Sequence, residues 1–138
     1  IRIITNMVSI RRKSRQREII LELIQKSPDH PTAQRIYDIL KKEISSLSLG
    51  NVYRNIRILM DEGRIKSRDF GDGIAHFDAI TRVHYHFICE ECGSISDFSM
   101  PVQESITKEA QKTSEHTITS HTIQFYGICG QCKRRKAD

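Results

Sequence analysis

The chain has 138 residues, 38% of them hydrophobic and 28% charged, and a formal net charge of +5. No run approaches the roughly 18 apolar residues of a membrane span, so a membrane protein is not expected and a cytoplasmic location is. Residues 1–70 carry 15 Lys/Arg against 8 Asp/Glu, whereas residues 71–138 carry 7 against 9, so the basic half is N-terminal and points to nucleic acid rather than to lipid.

Residues 1–13 are basic, ending in Arg11-Arg12-Lys13, and read equally as an arm or a short helix. From Ser14 the pattern is helical, with Ile19, Ile20, Leu23 and Ile24 on one stripe and a stop at Ser27-Pro28-Asp29. After His30-Pro31, Thr32 caps a second predicted helix with Ile36, Ile39 and Leu40 inward. The connection Ser45-Ser46-Leu47 leads to Ser48, the cap of a third helix over Leu49 to Glu62. At 100° per residue, Leu49, Val52, Ile56, Leu59 and Met60 share one side of that helix. Gly50, Asn51, Arg54 and Arg57 lie opposite, with Tyr53 at the flank. An amide, two guanidinium groups and an aromatic ring suit base edges and phosphates in a DNA groove, although an ordinary solvated helix face has a similar composition. Gly63 stops the helix, and strand-like runs Ile65 to Phe70 and Ile74 to Asp78 flank a three-residue turn, Gly71-Asp72-Gly73. Three helices followed by a hairpin predict a winged helix-turn-helix DNA-binding domain over residues 1–79. Its wing would direct Lys66 and Arg68 at phosphates, the alternative being a plain surface hairpin.

Residues 80–138 predict a small α/β domain, making the whole chain α+β. The expected order is a strand from His84 to Cys89, a knuckle, a strand from Ser94 to Phe98, a helix after Pro101 to about Thr113, and a strand from Thr119 to Gly127. The tail Lys133-Arg134-Arg135-Lys136 reads as a frayed, solvated end, and His116 and His121 as surface strand residues.

All the cysteines fall in two Cys-x-x-Cys pairs, Cys89/Cys92 and Cys129/Cys132, with 36 residues between them. Gly93 and Gly130 let each pair turn tightly enough to offer two sulfurs to one tetrahedral ion, so a structural four-cysteine zinc site is expected. Two disulfides, or a thioredoxin-like redox pair, are the alternatives.

His84 and His86 stand two apart on a predicted strand, so both imidazoles leave the same face, about 7 Å apart along it. Asp97 on the next strand and Asp78 at the end of the hairpin offer hard oxygen donors, and His30 would be a fifth ligand. Nitrogen and oxygen donors without sulfur suit iron(II) or manganese(II). Taken singly, each of these residues also has a plain surface or turn role.

The chain resembles the ferric uptake regulator family and, within it, the peroxide-stress (PerR) branch, over about residues 14–132. The resemblance is carried by four segments: His30-Pro31-Thr32-Ala33 before Ile36-Tyr37; Ser48 to Asn55; His84-Tyr85-His86-Phe87-Ile88-Cys89-Glu90-Glu91-Cys92-Gly93 with Asp97; and Tyr126-Gly127-Ile128-Cys129-Gly130-Gln131-Cys132. It implies that Cys89, Cys92, Cys129 and Cys132 hold structural zinc, and that His30, Asp78, His84, His86 and Asp97 form a regulatory iron(II) or manganese(II) site. It further implies a homodimeric repressor, not an enzyme, that binds double-stranded operator DNA while that site is filled. In this branch hydrogen peroxide reacts with bound iron(II) and oxidises a ligand histidine, so His30 and His84 are the implied targets and DNA is released. Asp97 fits the peroxide branch, since iron sensors usually have Glu there. Arg54 is similar instead to the iron-uptake regulators, and Gly50-Asn51 replaces the usual Ala-Thr. An iron- or zinc-sensing repressor without peroxide sensing is the alternative within the family, while an iron-dependent oxygenase or a zinc-ribbon interaction module would be readings of another class.

Overall fold

A computed structural model describes residues 15–137, and the basic stretch 1–13 lies outside the described residues. The chain divides into two units, one up to Thr81 and one from Arg82. Among the described residues, no helix is long and apolar enough to cross a membrane.

The first unit holds three helices and a hairpin: α1 (residues 15–26), α2 (Ala33–Leu40), α3 (Leu49–Asp61), β1 (Lys66–Arg68) and β2 (His76–Asp78). Thr32 and Ser48 cap α2 and α3, their hydroxyl oxygens accepting from Arg35 N and Asn51 N at 3.1 Å each. Helix α3 closes in a Schellman turn. Gly63 takes a φ of 71°, its N–H donates to Met60 O, and the N–H of Arg64 donates to Leu59 O, both at 2.9 Å. One core joins the elements: Ile20, Leu21 and Ile24 of α1, Ala33, Ile36 and Leu40 of α2, Val52, Ile56 and Leu59 of α3, with Leu47, Ile65 and Phe77.

Strands β1 and β2 pair antiparallel, Lys66 with Asp78 and Arg68 with His76. The paired runs are shorter than the sequence pattern suggests, and the three-residue turn becomes a seven-residue loop from Asp69 to Ala75. The carboxylates of Asp69 and Asp72 accept from Gly71 N (2.8 Å) and Ile74 N (3.0 Å), so side chains replace ladder bonds at the tip.

The second unit is built on β3 (Tyr85–Cys89), β4 (Ile95–Phe98), α4 (Glu104–Lys112), β5 (Gln124–Gly127) and α5 (Gly130–Ala137). The sheet order is β4-β3-β5, with β4 antiparallel and β5 parallel to β3. Parallel pairing needs a long crossover, which residues 99–123 supply through α4. Strand β5 begins at Gln124 rather than Thr119, so His121 lies ahead of it. The tail expected to fray is helix α5. Long-chain Lys and Arg are good helix formers, and a last turn of Arg134, Arg135 and Lys136 suits the negative end of the helix dipole.

Gly50 sits inside α3, where a Cβ would meet nothing closer than Ser48 Oγ at 3.9 Å. Gly50→Ala should therefore raise the stability of the chain by about 0.5–1 kcal/mol in denaturant unfolding.

Candidate metal centres and nucleic-acid interface

The parallel register sets Cys89 beside Gly127, so both Cys-x-x-Cys turns leave the same end of the sheet. Gly93, at a φ of 74°, lets the first knuckle fold back, its N–H donating to Cys89 O at 2.9 Å. Sulfur–sulfur separations are 3.9 Å for Cys89–Cys132 and 3.8 Å for Cys92–Cys129. A tetrahedral ion with metal–sulfur bonds of about 2.3 Å spaces its sulfurs by about 3.8 Å, so the four thiols fit zinc and are not disulfide-bonded. Backbone N–H groups already serve the sulfurs: Cys92 N and Cys129 N donate to Cys89 Sγ at 3.5 and 3.3 Å, and Cys132 N to Cys129 Sγ at 3.4 Å. The N–H groups of Cys92 and Cys129 draw the Cys89 thiol down to about 6, and Ser94 lowers that of Cys92. Contact with the Cys129 sulfur pushes Cys132 up to about 12. Four thiolates this close would need a cation, and a zinc ion held by the four sulfurs would supply it.

In the first unit, His30 is buried with a φ of 51°, the one non-glycine residue at positive φ among the described residues. Such a conformation costs about 1–3 kcal/mol and persists only where its surroundings impose it. Its ring stacks on Phe70, with centroids 5.9 Å apart, and its Nδ1 stands 3.8 Å from the Asp78 carboxylate. Asp78 is only 2% exposed. Its Oδ2 accepts from Arg68 Nε and its Oδ1 from Ile80 N, each at 2.8 Å. Arg68 also donates to Ile80 O at 2.9 Å. The structure thus directs Arg68 at a buried carboxylate rather than outward to phosphates, because an ion 2% exposed needs a charged partner more than a surface does. Lys66 remains exposed on β1.

In the second unit, His84 immediately precedes β3 and His86 lies within it, directly across from Asp97 of β4. The rings are 4.4 Å apart between centroids, and Asp97 Oδ1 is 3.0 Å from His84 Nε2 and 3.5 Å from His86 Nε2. The Nδ1 of His84 donates to Arg82 O at 2.9 Å. The Nε2 faces the Asp97 carboxylate, and a proton on that nitrogen satisfies both groups. A cation lying between them would satisfy both as well, and the carbonyl behind the ring is the usual second support of a metal-bound imidazole. The site residues thus form two partial donor sets, His30 with Asp78 on the first unit and His84, His86 and Asp97 on the second.

On α3, Gly50, Tyr53, Arg54 and Arg57 are exposed, and Asn51 is half-buried with its backbone N–H on the Ser48 cap. A groove of ≈ 430 Å³ runs along this face between Tyr53, Arg54, Ile56, Arg57, Met60 and Phe77. Asn55, by contrast, is buried and accepts from Arg17 Nε at 3.3 Å, tying α3 to α1.

Sequence reasoning missed three groups. One is the pairing of Arg68 with Asp78. Another is His76, buried between Asp72 and the His30 carbonyl, whose signal was its place two residues before Asp78 on one strand face. His121 is the third: not a surface strand residue, it is bonded to Tyr85 Oη and Thr107 Oγ1, each at 2.6 Å. No spacing rule points to this last contact.

Clustered thiols fit for zinc, and imidazole–carboxylate sets without sulfur, define a metal-binding α+β protein. The chain belongs to the ferric uptake regulator family, whose family model matches residues 10–126. It is 37% identical over 118 residues to the peroxide-responsive repressor PerR of Staphylococcus epidermidis, covering 86% of this chain and 79% of that protein. Among solved structures, the ferric uptake regulator of Vibrio cholerae superposes with a TM-score of 0.66 at 30% identity, covering 82% of this chain and 88% of that one. A zinc-bound manganese uptake regulator superposes with a TM-score of 0.65 at 26% identity, covering 83% and 87%.

Cys132→Ser is expected to abolish stoichiometric zinc, measured by elemental analysis of the purified chain, and to lower its thermal midpoint. Retention of one zinc per chain would contradict a four-thiolate site.

Proposed function

We propose that the protein is a metal-dependent, peroxide-sensing transcriptional repressor. It binds operator DNA as a homodimer while iron(II) or manganese(II) is held by His30, Asp78, His84, His86 and Asp97. The observation that carries this reading is the convergence of His84 and His86 on one carboxylate: Asp97 Oδ1 lies 3.0 and 3.5 Å from their Nε2 atoms, three donors without sulfur that a cation would join. The similarity to a protein named as a peroxide-responsive repressor supports the signal, and the donor chemistry supports the metals.

In this reading the first unit is a winged helix-turn-helix. Gly50, Asn51, Tyr53, Arg54 and Arg57 of α3 enter the major groove, and Lys66 meets a phosphate. The reading head contributes His30 and Asp78, and the dimerising unit contributes His84, His86 and Asp97. One ion shared by both sets fixes the angle between the heads of a dimer, so two half-sites are engaged together and DNA affinity rises with metal. Iron(II), when bound, supplies the reducing power that lets peroxide place oxygen on a ligand imidazole. Oxidation of His30 or His84 removes a nitrogen donor, and the clamp loosens. The four cysteines hold zinc throughout and keep the dimerising unit folded.

His30→Ala should abolish manganese-dependent binding to duplexes selected from a random pool while leaving zinc content and dimer mass unchanged. Unaltered DNA affinity would count against the clamp. Exposure of the iron(II)-loaded protein to peroxide should add one oxygen to the peptide containing His30 or His84, as read by mass spectrometry, and the manganese(II)-loaded protein should stay unmodified. An iron-loaded protein that releases no DNA and gains no oxygen would instead be an iron or zinc sensor.

A further inference from the structure

His76 is buried, sits on β2 two residues before Asp78, and neither of its ring nitrogens is committed to metal. Its Nδ1 is 2.8 Å from the backbone oxygen of His30, and its Nε2 is 2.8 Å from Asp72 Oδ2. Both facing atoms are acceptors, so the ring ties the hairpin tip to the one non-glycine residue at positive φ among the described residues. The N–H groups of His76 and Ile74 hold the Asp72 carboxyl below the usual carboxylate range. The adjoining peptide is clamped by the same strand, Phe77 N donating to Pro31 O at 3.0 Å. Phe70 completes the arrangement, stacked on His30 and edge-on to His76 at 5.4 Å.

A histidine at a φ of 51° is held there by its surroundings, and the bond from His76 to its carbonyl is a direct restraint on that backbone. The direction of the His30 imidazole follows from the backbone that carries it. The geometry points to His76 as a positioning residue for the regulatory metal: it holds the His30 backbone in its ligating conformation, and Asp72 at the hairpin tip holds His76. This rests on the reading that His30 is a ligand of the regulatory ion. It adds a physical link between the hairpin tip and that ligand, so the tip's conformation and the metal affinity depend on each other.

The test is manganese(II) affinity of the full, zinc-loaded chain. His76→Phe keeps a planar ring against Phe70 but removes both nitrogens, and it should weaken manganese binding by about ten- to a hundredfold, the usual effect of losing an outer-shell partner. His76→Asn loses the ring but keeps an amide N–H near the position of Nδ1, and its affinity should stay within a few-fold of the parent. The opposite ranking, with Phe tolerated and Asn not, would make His76 a packing residue and overturn the proposal, as would unchanged affinity in both. His84→Ala serves as the control. Loss of manganese there with normal binding in His76→Phe sinks the positioning role alone, whereas no regulatory manganese in the parent chain sinks the metal-site reading and this inference with it. Should His76→Phe fail to unfold cooperatively, Asp72→Ala decides: several-fold weaker binding is expected, and parental affinity refutes the link.

Discussion

The parallel pairing of β5 with β3 is the constraint on which the second unit depends. A sheet of three short strands with Tyr85, Cys89 and Ile95 as its buried apolar residues, joined by Cys132 of α5, has little surface to withdraw from water. Helix α4, which carries the crossover, has no buried residue at all. Yet the register that puts Cys89 beside Gly127 also brings two turns, distant in sequence, to one end of the sheet with their sulfurs spaced for a single ion. A metal ion held there would stand in for much of the missing core, and the sheet gives the knuckles their alignment. One residue to either side of buried Tyr85 stand His84, just ahead of the same strand, and His86 within it, so the thiol cluster and the imidazole pair share a support.

The first unit meets a different difficulty, a carboxylate 2% exposed in a hairpin. The Asp78 carboxylate accepts from Arg68 Nε and from the N–H of Ile80, and it faces His30 across 3.8 Å. Arg68, His76 and Asp78 share one face of the hairpin with Lys66, which is the exposed basic residue of β1. The groove beside α3 is lined by Arg54, Arg57 and Phe77, and Phe77 alternates with His76 and Asp78 along β2, so the groove and the buried carboxylate lie on opposite faces of that strand.

Much of this was legible in the residues. Thr32 and Ser48 announce two helix starts, Gly63 a helix stop, and the Cys-x-x-Cys pairs a shared ion, because capping and metal ligation are local chemistry with fixed spacing. The hairpin loop was misjudged since Asp69 and Asp72 bond their own backbone where strand pairing was expected. Helix α5 was hidden by its composition, since four consecutive basic residues look the same in a loose tail and in a short helix anchored by a knuckle. Arg68 was misdirected for another reason: whether a guanidinium seeks a phosphate or a buried carboxylate depends on what lies beneath the strand, and a linear pattern does not show depth. The bond of His121 to Tyr85, between residues 36 apart, is of the same kind.

The placement of the knuckles also bears on the order in which the protein matures. Every core residue of the first unit precedes Asp78, so that unit has its whole interior available early in synthesis, from helices that need only near neighbours. The sheet has to wait. Its central strand is made well before its parallel partner, and the first pair of thiols has no counterpart until Cys132 leaves the ribosome. A nascent chain therefore carries a finished helical unit before the sheet and its four thiols can come together.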